Sequence, residues 1–154
     1  MSPIFTFILI TLIVLAIFDI IVGVANDAVN FLNAAMGSKI TTRRVILTVA
    51  AVGIMVGVMT SSGMMEVARS GVFYPAQFTF SEIMVLFLGM IIGDIILLDI
   101  FNSLGLPTST TVALVFSLLG AAIAVSLYKI SGDPSLSIGS LGGFINTTRA
   151  MGVI

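Results

Sequence analysis

The chain has 154 residues, of which 58% are hydrophobic and 8% are charged, and its formal net charge is −1. So much apolar surface predicts an all-α, polytopic helical membrane protein rather than a soluble domain, with the lipid bilayer as its surroundings. The absence of Cys and His excludes disulfides, thiol catalysis and imidazole ligands, and the lack of a basic field excludes nucleic acid as a partner.

Residues 4–24 form the first apolar segment, which is longer than the apolar region of an ordinary signal peptide and follows no charged region. We interpret it as a retained first transmembrane span. A straight helix over residues 4–37 would be about 50 Å long, against a hydrocarbon core of about 30 Å. We therefore expect the first helix to break near Asn26 and Asp27, as the discontinuous helices of transporters do.

A cluster of polar side chains lies at this expected break. Asn26, Asn30 and Asn33 would fall within roughly 40° of one line on a regular helix, with Asp27 about 80° away. An ionisable group among residues built for lipid is costly and indicates function. Carboxylate and amide oxygens are ligands that hard cations prefer, so this cluster is a candidate cation site.

Three further spans are predicted, at residues 45–65, 83–101 and 112–127. Gly53 and Gly57 in the second form a small-xxx-small pair that favours close helix contact, and the fourth is short enough for a half-helix or re-entrant segment. Three cations and no acid lie at residues 39–44. By the positive-inside rule this loop is cytoplasmic and the N-terminus lies outside the cell membrane.

Residues 106–111 read LPTSTT and precede the fourth span. Pro suits the start of a helix and Ser or Thr can cap it, so a capped helix start is one reading. The other reading is an anion site, because a helix N-terminus offers free N–H groups, a positive dipole end and the hydroxyls of Ser109, Thr110 and Thr111. An anion held beside a cation indicates co-transport, with no cofactor and no enzymatic activity.

Two motifs resemble the inorganic phosphate transporter family of cation-coupled symporters. Ala25-Asn26-Asp27, Asn30 and Gly37-Ser38-Lys39 resemble its GANDVANA…GS signature, and residues 105–111 resemble its LPxSTT element. The chain departs from that pattern at three positions: Val24 replaces a Gly, Asn33 stands where Gly is frequent, and Val112 stands where many members have His.

The resemblance implies a secondary transporter of inorganic phosphate coupled to sodium or protons. It implies phosphate binding by Asn26, Ser109, Thr110 and Thr111, and cation binding by Asn26, Asp27 and Asn30, with sodium at Asp27 and Asn30. Family members contain two inverted halves, whereas this chain has one copy of the signature. We therefore expect residues 1–130 to form the first, N-terminal repeat, residues 131–154 to form a Gly- and Ser-rich tail that starts a further segment, and a second half or a homo-oligomer to complete the site.

Two alternatives remain open from the residues alone. A membrane scaffold or assembly subunit would tolerate the loss of all these polar groups. An intramembrane aspartyl protease would use Asp94, which follows Gly93, with a second Asp sharing its proton. The roles of Asp19 and Asp99 stay open as well, although we expect Asp99 to be structural.

Overall fold

The computed structural model describes residues 3–61 and 71–151. Within these residues the chain is helical apart from its connections and one isolated antiparallel bridge. The helices, numbered here in chain order, are α1 (Pro3–Gly37), α2 (Arg43–Thr60), α3 (Phe80–Ser103), α4 (Thr110–Gly132) and the short α5 (Thr147–Met151). The first four are long and apolar enough to cross a membrane, which confirms the prediction of an all-α polytopic membrane protein.

The first helix does not break, so this part of the prediction was wrong. α1 runs without interruption through 35 residues and ends where Ser38 donates from both its backbone N–H and its hydroxyl to the carbonyl of Ala34, at 3.0 and 2.7 Å. No proline lies between Ile4 and Gly37 to remove a backbone donor. The polar side chains near the expected break bond to groups on other helices, so the backbone has no need to open for them.

The fourth span is also longer than predicted and is not a half-helix. α4 has 23 residues, or roughly 35 Å at 1.5 Å per residue, which is enough to cross the bilayer. The predicted fourth span ends at residue 127 because a charged Lys129 indicates the end of an apolar segment. Instead, Lys129 stays in the helix and bonds to Glu82 of α3 at 3.1 Å and to the carbonyl of Gln77 at 2.8 Å.

The second and third spans are close to their predicted positions. α2 begins two residues earlier than predicted and ends at Thr60, while residues 62–65 of the predicted span lie outside the described residues, as do residues 66–70 of the connection to the third span. α3 begins at Phe80 because Thr79 and Glu82 form a reciprocal capping box, in which Glu82 Oε2 accepts from the Thr79 N–H at 2.6 Å.

Helices α1 and α3 run parallel, and α4 returns antiparallel to them. Phe5 stacks edge to face on Phe80 near the start of both helices, and Asn26 bonds to Asn102 near the other end. α4 closes on α3 at small residues, since a Cβ atom added to Gly89 would lie 3.8 Å from Ala121. Parallel α1 and α3 with an opposed α4 are what alternating membrane crossings produce.

Helix α2 contributes little to this bundle. Its one buried residue among those described is Ile46, and nothing lies within 4 Å of a Cβ atom added to Gly53 or Gly57. The predicted close contact at these glycines has no partner within the described part of the chain. Apolar side chains on the outer faces of all four long helices are exposed, as expected for surfaces that lipid or another membrane helix covers.

A loop layer closes the bundle at the end where α3 begins and α4 ends. Residues 71–74 pair with residues 144–146, and the N–H of Tyr74 donates to the carbonyl of Phe144 at 2.9 Å. Phe73, Phe78 and Phe144 pack edge to face and join the buried side chains of α3 and α4. This layer fixes one end of the α3–α4 pair and leaves the other end for the polar residues.

At that other end the chain turns tightly between α3 and α4. Gly105 has φ of 66°, its N–H donates to the carbonyl of Asn102 at 3.1 Å, and the N–H of Leu106 donates to that of Phe101 at 2.9 Å. This pair of bonds is a Schellman motif, which needs a left-handed residue just past the helix end. The turn directs the chain from Asn102 to the start of α4.

Replacing Gly105 by Ala should lower the stability of the fold by about 1–2 kcal/mol, because an L side chain in the left-handed conformation is strained. The matched control is Gly120→Ala in the middle of α4, where there is open space for a Cβ atom and Ala is the better helix former. Thermal unfolding in detergent, followed by circular dichroism, should show a lower transition for the first variant alone. Equal transitions for both variants would contradict the assigned turn.

Candidate functional site

Three of the four polar side chains in the predicted cluster of α1, those of Asn26, Asp27 and Asn30, bond to α3, to α4 or to the residues just before α4. Asn26 is 2% exposed and Asp27 is half-buried, whereas Asn30 and Asn33 are exposed. Because α1 is unbroken, Asn26, Asp27 and Asn30 occupy little more than one turn and reach the same end of the bundle. The predicted clustering of these side chains is therefore present without the predicted break.

The start of α4 is capped as its sequence indicates. Ser109 is the N-cap, and its hydroxyl accepts from the N–H of Val112 at 3.4 Å. The N–H groups of Thr110 and Thr111, in the first turn, have no acceptor within the helix. The capped start and the anion site are thus compatible readings, since capping leaves these two donors and the positive end of the helix dipole available.

The two polar stretches meet although they are some 80 residues apart in the chain. The Thr110 hydroxyl lies 3.2 and 3.4 Å from the two carboxylate oxygens of Asp27 and donates to them. Asn30 Nδ2 donates to the carbonyl of Thr108 at 3.1 Å. Between the stretches lies a cavity of about 470 Å³, lined by Asp27, Asn30, Phe31 and residues 107–111. We refer to this cavity as the junction site.

A second set of bonds, behind the junction site, joins α1 to the end of α3. Asn26 Nδ2 donates to Asn102 Oδ1 at 2.8 Å, and Asn102 Nδ2 donates to the carbonyl of Val22 at 3.3 Å. Asn30 Nδ2 lies 3.4 Å from Asn26 Oδ1, which extends the chain of amides toward the cavity. Asn26, predicted as a ligand of both ions, therefore lies behind the junction site and is not among the residues that line the cavity.

Sequence reasoning missed Asn102. It was read as the first residue of a loop, whereas it lies in the last turn of α3. An amide side chain at the end of an otherwise apolar span could have identified it, because such a group needs a partner when it leaves water. The identity of that partner depends on which helices pack together, which the residue order does not state.

The remaining aspartates occupy different surroundings. Asp94 is 3% exposed in the middle of α3 and accepts from the Ser117 hydroxyl at 3.4 Å. Asp19 of α1 lines a cavity of about 210 Å³ together with Asp94 and the first residues of α4. Asp99, by contrast, is exposed, and no hydrogen bond to its side chain occurs within the described residues.

The charges at the junction site are unbalanced. It holds one carboxylate, Asp27, and none of the cavity-lining residues is Lys or Arg. The nearest basic group along α4 is Lys129, close to the opposite end of the helix. A helix N-terminus supplies about half a positive charge, which does not neutralise a carboxylate.

Oxygen donors at the junction site suit a hard monovalent cation. Asp27 Oδ1 and Oδ2 and the Thr110 hydroxyl are within hydrogen-bonding reach of one another, and the amide of Asn30 is nearby. Over residues 3–61 and 71–151 no three His, Cys, Asp or Glu side chains gather as a transition metal would require. Any metal bound here would be held by one carboxylate with amide, hydroxyl or carbonyl oxygens.

Comparison with known proteins gives one match. The family model described as the phosphate transporter family matches residues 23–150, which include both polar stretches and most of the chain. No curated protein and no solved structure matches the chain.

The bond between Asn26 and Asn102 should contribute measurably to stability. Asn102→Ala leaves the buried Asn26 amide without its partner, and we expect a loss of about 1–3 kcal/mol. Asn33→Ala removes an exposed amide from α1, the helix that carries Asn26, and should change stability by about 0.5 kcal/mol or less. Unfolding in mixed micelles would measure both, together with Asn26→Ala and the double variant. Strictly additive effects of the Asn26 and Asn102 substitutions would show that the two side chains do not interact.

Proposed function

The chain belongs to the phosphate transporter family, and from this we propose that it carries inorganic phosphate across the membrane together with a cation, sodium or a proton, bound at the junction site. The observation that carries the proposal is the contact between Asp27 and Thr110, which joins the AND stretch of α1 to the LPTSTT stretch of α4. Two polar stretches far apart in the sequence thereby form one site.

The anion ligands in this proposal are those at the start of α4. The N–H groups of Thr110 and Thr111 and the hydroxyls of Ser109, Thr110 and Thr111 belong to residues that line one cavity at the positive end of the helix. Phosphate oxygens accept hydrogen bonds from all of these donors. Asn26, which is buried behind the cavity, holds α1 in register with α3 through its bond to Asn102.

A cation is needed because phosphate and Asp27 repel each other. Two unit negative charges 4 Å apart repel by about 4 kcal/mol at an effective dielectric constant near 20. That cost exceeds the roughly 1.5–3 kcal/mol gained from one hydrogen bond to a charged group. A cation between Asp27 and the anion attracts both of them, and these two attractions outweigh the repulsion between the negative groups. Each ion then binds better when the other is present, which is the physical basis of symport.

The hydroxyl of Thr110 connects the two ions. Without a cation it donates to the Asp27 carboxylate. A cation held by Asp27 and Asn30 would replace the Thr110 hydroxyl as the partner of the Asp27 carboxylate. The Thr110 oxygen would then serve as a further ligand of the cation. The Thr110 proton is then free to turn toward a phosphate oxygen. Cation binding thus supplies the anion with a donor as well as a compensating charge.

We also propose that a second repeat supplies the remaining ligands. A stripped phosphate ion needs most of its hydration contacts replaced, and one helix N-terminus covers one side of it. Transporters with inverted repeats gather such ligands from two halves at their interface. The second set would come from a matching repeat, either on the same polypeptide or in a second copy.

Two alternatives make different predictions. A membrane scaffold would need neither Asp27 nor the hydroxyls of α4. An aspartyl protease would need a second carboxylate near Asp94, and Asp19 does line the same cavity. The match to a family of phosphate transporters favours transport over both. Cleavage of a membrane substrate that disappears in Asp94→Asn would favour the protease instead.

Asp27→Asn should lower cation-dependent phosphate uptake about 10- to 100-fold, since an amide holds a cation more weakly by roughly the value of a charge-assisted bond. The matched control is Asp99→Asn, an identical change at an exposed aspartate of α3. Radiolabelled phosphate uptake by cells that lack other phosphate transporters would be measured with and without a sodium or proton gradient. Normal gradient-dependent uptake by the Asp27 variant would contradict the assigned cation site.

The proposed orientation places the N-terminus outside the cell membrane and Lys39, Arg43 and Arg44 in the cytoplasm. The chain has no Cys, so Thr42→Cys and Ala76→Cys each create a single thiol at an exposed position. In intact cells an impermeant maleimide should label the variant at position 76 and spare the one at 42. The reverse labelling pattern would show that the chain is inverted.

A further inference from the structure

Two aspartates face each other away from the junction site. Asp19 of α1 and Asp94 of α3 line one cavity of about 210 Å³, which the start of α4 closes with Thr110 and Thr111. The two carboxyl groups lie within hydrogen-bonding reach of each other. Asp94 is 14 residues into the 24-residue α3, so this pair lies near the middle of the span.

One hydrogen-bond donor reaches this pair among the described residues. Asp94 is 3% exposed, and it accepts one hydrogen bond, from the Ser117 hydroxyl at 3.4 Å. Oδ1 of Asp19 is buried and has no hydrogen-bond partner among the described residues. A buried carboxylate oxygen without a donor is costly, and the polar group in reach of Asp19 is itself a carboxyl, which donates only when it is protonated.

Among the described residues, no Lys or Arg lines the cavity that holds this pair. On α1 the other charged residue is Asp27, and on α3 the others are Glu82 and Asp99. α4 carries Lys129, which lies at the far end of the bundle and bonds there to Glu82 at an N–O distance of 3.1 Å. The side chains that α4 presents to the pair are the neutral Thr110, Thr111 and Ser117. Two carboxyl groups this close cannot both be ionised without a partner.

We propose that Asp19 and Asp94 form a proton-binding site in which the two carboxyl groups share one proton at neutral pH. Protonation breaks an O–H bond of hydronium in bulk water and forms one to a carboxylate oxygen of the pair, and release of the proton reverses both changes. The shared proton gives the buried Asp19 oxygen its missing donor and reduces the charge of the pair from −2 to −1. It does so without a metal ion or a basic residue.

A second step rests on the proposed function and links this proton to phosphate. Thr110 lines both cavities and donates to Asp27. Asp19 precedes Asp27 by eight residues of unbroken helix, about 12 Å. Loss of the shared proton adds one negative charge at that distance. At an effective dielectric constant near 20, this charge changes the affinity of the junction site for a singly charged ion about tenfold. Rising pH therefore weakens anion binding at the junction site.

Infrared spectroscopy of the purified protein tests the first step without transport. A protonated carboxyl has a C=O stretching band that a carboxylate lacks, and the band moves when the proton is exchanged for deuterium. The wild type at neutral pH should show such a band, and Asp19→Asn and Asp94→Asn should each lose it. Asp99→Asn should keep it.

Two results would overturn the proton site. A wild-type protein without the band has two carboxylates, which would require a cation in the cavity instead. A band that persists in both Asn variants belongs to another carboxyl group. If either Asn variant fails to fold, Asp94→Glu keeps the carboxyl and should shift the band rather than remove it, and an unshifted band in that variant would also overturn the proposal.

The pH dependence of phosphate uptake tests the second step. Asp94→Asn imitates a permanently neutral carboxyl, so the ratio of its uptake to that of the wild type should rise about tenfold from the acidic to the alkaline end of the profile. The ionisation of phosphate itself cancels in this ratio. A constant ratio would refute the link, whereas absence of uptake by the wild type would refute the proposed function and leave the infrared result to decide the proton site.

Discussion

The amide pair of Asn26 and Asn102 fixes how α1 packs on α3 and α4. Asn26 is buried and Asn102 is half-buried between apolar helices, and the two bond at 2.8 Å in one register only. A shift of α1 by one turn would separate them and leave Asn26 unsatisfied, at a cost comparable to a large part of the stability of a small domain. The positions of Asp27 beside Thr110 and of Asp19 beside Asp94 both depend on this register.

The same register gathers aspartates around two cavities that no Lys or Arg of the described residues lines. The aspartates Asp19, Asp27 and Asp94 lie along the contact of α1 with α3 and α4, while the basic residues in the described part of the chain lie in loops or near the helix ends. Such an arrangement is unfavourable in a static scaffold, because each buried charge must be compensated. It suits the proposed transporter, in which the compensation would come from ions and protons that bind and leave.

The fold could be predicted from the sequence in its class and in the approximate positions of its four spans, because hydropathy and span length depend on the local sequence alone. The predicted break at Asn26 and the predicted short fourth helix were wrong for a common reason. Polar residues inside a span were taken as interruptions, whereas Asn26 and Lys129 bond to groups on neighbouring helices and leave their own backbone intact. A hydropathy value reflects the free energy of moving such a side chain out of water, and it carries no information about the groups that bond to it in the folded protein.

What the sequence by itself determined was the membrane class, the capped start of α4 at Ser109 and the two stretches that hold the candidate ligands, since these follow from composition, local spacing and capping chemistry. The tertiary structure decided which of those residues meet. It brought Asp27 to Thr110 and Asp19 to Asp94, and it gave Asn102 its role as the partner of Asn26. These contacts join residues 75 or more positions apart, and they exist only because α1 packs parallel to α3 in a single register.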